Sequence, residues 1–178
     1  MPDTILIPLA NVLLDCLETA ATANPDPPAN FCLRAGGPVI HDVDAAASLD
    51  TVCCPGLGYV RLGRNYPSSA EFPAPDPRSD KCLSLARVQE FFVGIVRCVP
   101  GLGTPEGPSC ADWTAAAVHD ADDIQAIWAA VCCWTDTTEF KRMRSRPFSI
   151  VGTEVVQEGD CIERFMTILV QIPRCCNS

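Results

Sequence analysis

Between residues 53 and 77 the chain reads CCPGLGYVRLGRNYPSSAEFPAPDP, a strand signal that runs straight into a segment excluded from helix and from central sheet. Over 57–66 the pattern is extended, with Leu57 and Tyr59 on one side and Val60 and Leu62 on the other. Pro67, Pro73, Pro75 and Pro77 then remove amide donors and hold φ near about −65°. Residues 66–80 are therefore expected as a proline-rich arm that does not fold on itself. It must lie on its own protein's surface or reach a neighbouring subunit.

Around this arm the chain alternates two periodicities. Ile5, Leu6, Leu9, Val12, Leu13, Cys16, Leu17 and Ala20 recur every three or four residues and predict a helix beginning near Pro8 and stopped by NPDPP at 24–28. Residues 30–34 predict a short strand, and Gly36, Gly37 and Pro38 a turn. His41, Asp42 and Asp44 then read as a solvated loop. In the strand predicted over 86–98, Val88, Phe92 and Val96 face one way and Phe91, Val93 and Ile95 the other, so its second half needs cover on both faces. Helices supply one cover; a second layer of the same chain or a subunit contact supplies the other.

Ser109 is the expected N-cap of a helix running to Cys133, with Asp112 in its first turn. Trp113, Ala117, Ala121, Ile124, Trp128 and Val131 form its expected core stripe, and Asp120, Asp122 and Asp123 its solvated side. Strands over 148–156 and 161–172 flank a turn containing Gly159 and predict a hairpin. Ile162, Met166, Ile168, Val170 and Ile172 share one face there, interrupted by Arg164. The order predicts an α+β fold in a single domain, 1–178: an antiparallel or mixed sheet of about five strands with an N-terminal helix and a long central helix packed on one face. A chain of 178 residues can bury roughly two-thirds of its unfolded surface in such a domain.

The net charge of −9 argues against binding DNA through phosphate contacts, which need Lys and Arg. No apolar run approaches the roughly 20 residues needed to span a bilayer, and Asp15 and Glu18 make the N-terminal segment a folded helix rather than a signal peptide. The 12 cysteines include three adjacent pairs but no C-x-x-C, so zinc is not indicated, while buried thiols and disulfides both remain open. Cys98 and Cys110 flank a Gly/Pro loop, and a bond between them would stabilise by about 3 kcal/mol on the chain-entropy model. No G-x-S-x-G, H-E-x-x-H or P-loop occurs, so no catalytic residue is assigned. Lys141, Arg142, Arg144 and Arg146 concentrate positive charge in an acidic chain, as a solvated loop or an electrostatic face.

CCPGLGYVR, YPSSAEFPAP, the Trp-headed helix ending in AVCC and the closing VQIPRCC resemble a group of small neck proteins of tailed actinobacteriophages. The similarity runs from LLDCL to the last cysteines, and the element order is similar to that of siphophage tail terminators. The resemblance implies a structural virion protein, assembled in the host cytoplasm and placed at the neck between head and tail. Six copies would form a ring that caps the tail tube protein and meets an adjoining head–tail connector ring. DNA would pass the lumen without specific binding, and no enzyme activity, cofactor, metal or membrane is implied. Tyr66 and Phe72 on the arm, with Lys141, Arg142, Arg144 and Arg146, are then the candidate subunit or inter-ring contacts. The alternatives are another connector ring, a stopper or head completion protein, or a secreted disulfide-stabilised binding module.

Overall fold

The computed structural model describes residues 5–35, 55–68, 71–75, 86–100, 107–142, 147–158 and 161–172. Along them run α1 (Leu6–Ala21), β1 (Asn30–Arg34), β2 (Leu57–Pro67), β3 (Arg87–Cys98), α2 (Cys110–Asp136), the short α3 (Thr138–Lys141), β4 (Phe148–Glu158) and β5 (Cys161–Ile172). The strands form one mixed sheet in the order β1-β2-β3-β5-β4, with β1 parallel to β2 and the other neighbours antiparallel. The fold is α+β, with an N-terminal helix and a long central helix. Chain order explains the strand order: α2 carries the chain from β3 out to the edge strand β4, and β5 returns beside β3.

Alternation along the strands sorts side chains onto two faces. Val60, Phe91, Val93, Met166 and Ile168 share a core with Leu9, Leu13 and Leu17 of α1 and Ile127, Val131 and Trp134 of α2. Tyr59, Val96, Cys161 and Phe165 form a second buried cluster on the opposite face, with Leu57 at its rim. The apolar run in β3 is thus buried on both sides, as its sequence requires. Pro8 sits in the first turn of α1, where its missing N–H has no intrahelical acceptor to lose.

Trp134 joins the layers. Its indole Nε1–H donates to the Leu9 carbonyl at 3.0 Å, and its ring packs on Phe91 and Phe140 at centroid distances of 5.7 and 4.6 Å. A Cys16–Cys133 disulfide ties α1 to α2 beside it. Adjacent helical residues point about 100° apart, so Cys133 reaches α1 while its neighbour Cys132 is an exposed free thiol.

The expectations for α2 and for the arm change in the structure. The buried side of α2 is Asp123, Ala126, Ile127, Ala130, Val131 and Trp134, whereas Trp113 and Trp128 are 45% and 41% exposed. The apolar stripe read from the sequence is real, but except for Val131 it is not the core face. Carboxylates read as solvated instead meet arginines rising from the sheet, described below. The arm also folds back at its start: Ser68 pairs with Pro75, the Tyr66 hydroxyl donates to the Pro73 carbonyl at 3.2 Å and Ala74 N–H to Glu71 O at 2.9 Å. A tight turn supplies those bonds even where prolines cannot donate. Residues 76–85 lie outside the described residues.

Candidate functional site

Where α2 leaves the sheet, its N-terminal half and the ends of β3, β4 and β5 enclose a cleft of about 410 Å³. Ser109 makes this helix start a capping box: the Asp112 N–H donates to Ser109 Oγ at 3.2 Å and the Ser109 N–H to Asp112 Oδ2 at 2.8 Å. The Ser109 hydroxyl, donating to Asp112 Oδ2 at 2.7 Å, and then the Ser109 N–H hold the Asp112 carboxyl below its ordinary range.

The polar side of the cleft is two arginine–aspartate pairs. Arg97 of β3 donates Nε–H to Asp123 Oδ2 at 2.6 Å and Nη2–H to Oδ1 at 2.8 Å. Its Nη1 and Nη2 also reach the Asp26 carboxylate at 3.1 Å and the Asp26 carbonyl at 2.7 Å. Arg164 of β5 makes a two-pronged pair with Asp120. His119 Nδ1 lies 3.8 Å from Asp26. The Asp123 hydrogen bond raises the Arg97 pKa and keeps it charged, while burial pushes the Asp123 carboxyl, 3% exposed, above its ordinary range against the pull of Arg97.

The other wall is apolar, with Ile95, Ile162, Trp113, Ala117 and Val155. Each cleft guanidinium already has its carboxylate, so the site is not built to take an anion. Its cysteine, Cys98, is disulfide-bonded and offers no thiolate. Among the described residues, no group of three or more His, Cys, Asp and Glu side chains is arranged to hold a metal. What the pairs do is pin α2 across β3 and β5.

A second buried polar pair lies on the opposite face of the sheet. The Tyr59 hydroxyl donates to Glu163 Oε1, and Glu163, 1% exposed, has its other carboxylate oxygen buried without a hydrogen-bond partner among the described residues. Burial, then the Glu163 charge, drives the Tyr59 hydroxyl far above the usual tyrosine range. Gly94 makes room for it: a Cβ there would meet the Tyr59 hydroxyl and the Arg164 carbonyl, each at 2.7 Å. At the far end of β2 a bulge between Leu62 and Asn65 is held by Gln89, which donates to the Gly63 carbonyl, and by Glu90, which accepts from Arg64.

The residues singled out by sequence fall on separate elements. Tyr66 and Phe72 are half-buried within the turn that closes β2. Lys141 ends α3 and pairs with Asp136 at 3.2 Å, and Arg142 is exposed beside it; Arg144 and Arg146 lie outside the described residues. Cys98 and Cys110 are not bonded to each other: Cys110 is an exposed free thiol, whereas Cys98 is in a disulfide, as is Cys161. Cys110 sits exposed on the first turn of α2, and residues 101–106 of the Gly/Pro loop that suggested the pairing lie outside the described residues. His41, Asp42, Asp44 and the adjacent pairs at 53–54 and 175–176 lie outside the described residues.

Arg97 and Trp134 were not singled out by sequence, and Asp123 was read as solvated. The one signal for the cleft was Arg164, a cation breaking the apolar face of β5. No helix among the described residues is long and apolar enough to cross a membrane. No protein-family model matches the chain, and comparison with curated proteins finds no match.

Proposed function

We propose that the chain is a structural protein of the neck of a tailed phage. It forms a ring, six copies in the terminator reading, that caps the tail tube, stops its growth, docks to the adjoining connector ring and lets DNA pass. Beside the sequence resemblance, one observation supports an adhesive rather than a catalytic role: the exposed apolar side chains are concentrated on α2 and the edge strand β4. Trp113, Trp128, Val151, Val155 and Val156 are all exposed there, while the adjacent cleft carries matched ion pairs and no activated nucleophile. Patches of this kind mark protein contacts more than chemistry. The acidic balance suits a lumen that DNA slides through without tight phosphate contacts.

A second reading, a disulfide-stabilised secreted binding module, is favoured by the Cys16–Cys133 bond. Native mass spectrometry of the purified protein, alone and with tail tube protein, separates the two. A closed ring, or a protein that closes only on tail tube protein, supports the neck role. A protein that ignores both head and tail components sinks it.

A further inference from the structure

The cleft under the N-terminal half of α2 has room that its ion pairs do not fill. An apolar cavity of about 150 Å³ already admits benzene. At about 410 Å³ this cleft has space for an aromatic ring and a short arm. Its two walls differ in kind. One is apolar and carries the Trp113 ring, 45% exposed. The other sets three carboxylates, Asp26, Asp120 and Asp123, against two guanidinium groups, Arg97 and Arg164.

One carboxylate is in excess, and the geometry says which. Arg164 is taken by Asp120, and Arg97 is shared between Asp123 and Asp26. Asp123, 3% exposed, receives two prongs of Arg97. Asp26 receives Arg97 only on Oδ2, at 3.1 Å, and its side chain is 60% exposed. His119 Nδ1 is 3.8 Å from that same oxygen, too far for a hydrogen bond. Asp26 Oδ1 accepts no hydrogen bond among the described residues. Arg97 registers the surplus: after the hydrogen bond to Asp123, and against burial, the charges of Asp123, Asp26 and Asp122 all raise its pKa.

We propose that the cleft binds an organic cation with an apolar body, an ammonium or guanidinium group on an aryl or alkyl arm. The cationic head pairs with Asp26, and the arm lies on the apolar wall beside Trp113. An enclosed apolar wall with a few convergent polar groups is the usual build of a small-ligand site. An anion is excluded because both guanidinium groups are already taken, and a plain hydrocarbon leaves Asp26 unused. The exposed apolar side of α2 beyond the cleft has no part in this. The inference goes beyond the neck reading and is independent of it, since ring closure needs no ligand here.

Two sources carry that chemistry: a free arylalkylamine, and a lysine side chain beside an aromatic one in a partner protein. Phenylbutylammonium stands for the first and N-acetyl-phenylalanyl-lysinamide for the second, with phenylbutanol and phenylbutyrate as neutral and anionic controls. Each is titrated into the full chain at neutral pH and low salt, and two-dimensional NMR follows the Trp113 indole N–H. Trp128 and Trp134 do not line the cleft and serve as internal references. The ammonium should bind with a Kd of about millimolar, as fits its size. It should bind about tenfold tighter than the alcohol, because a hydrogen bond to a charged group outweighs a neutral one. The carboxylate should bind most weakly, and added salt should shrink the differences. Asp26→Asn leaves Arg97 on Asp123 and should remove the preference for ammonium over alcohol. Ala117→Phe, at an exposed position, should fill the cleft and abolish binding. Whichever of the amine and the dipeptide binds tighter identifies the source. Equal binding of alcohol and ammonium, a preference that survives Asp26→Asn in a folded variant, or shifts as large at Trp128 as at Trp113 overturns the proposal and leaves the neck reading untouched.

Discussion

Asp123→Ala should be among the most destabilising single changes to a charged residue in this fold. Arg97 makes four donated hydrogen bonds at the cleft, and Asp123 accepts the two that turn the guanidinium toward α2. Removing one partner of a buried pair costs about 3–5 kcal/mol, because the other charge stays desolvated. Arg97 keeps Asp26, whose side chain is largely exposed and compensates only in part, so the low end, about 3 kcal/mol, applies. For a domain of this size that lowers Tm by about 6–12 °C. Scanning calorimetry at neutral pH without reductant reads it directly. Arg97→Met with Asp123→Leu removes both charges and fills the space, and should recover most of the loss. If Asp123→Ala stays within about 1 kcal/mol of the parent, or the double variant is no better than the single, the pair does not hold α2 to the sheet.

Three further outcomes follow from the same geometry. The Cys16–Cys133 bond spans 117 residues, for which chain entropy gives at most about 4.9 kcal/mol, so Cys16→Ser with Cys133→Ser should lower Tm strongly; an unchanged Tm would place the join of α1 and α2 in packing alone. Gly94→Ala drives a methyl into the Arg164 carbonyl and the Tyr59 hydroxyl and should cost about 1–3 kcal/mol by chemical denaturation, whereas a neutral result would mean that β3 and β5 shift apart freely. The folded-state pKa of Asp112 lies below the ordinary 3.8, so its contribution is fully present above that value and is lost as pH falls through the lower folded-state pKa. An NMR titration of its carboxyl should show that low midpoint, and Ser109→Ala should return it toward 3.8; a midpoint unmoved by the substitution contradicts the capping box.

Strand and helix positions were legible because they depend on local period and local breakers. Residues 30–34 appear as β1 with those bounds, Leu57 and Tyr59 do face away from Val60 and Leu62, and Ser109 does cap α2. The sequence by itself therefore determined the α+β element order, the alternation on β3 and the hairpin of β4 and β5. Which side of α2 turns inward was not legible. That helix carries two apolar stripes side by side, and hydrophobicity alone favours the one richer in tryptophan. Only the tertiary structure decided it: Arg97 and Arg164 rise from the sheet and need carboxylates, so the side bearing Asp120 and Asp123 faces inward, while Trp134 finds Leu9, Phe91 and Phe140. The cleft was invisible for the same reason. Its partners lie 26 and 44 residues apart in the chain, and a charge pair desolvated across two elements leaves no local period to read.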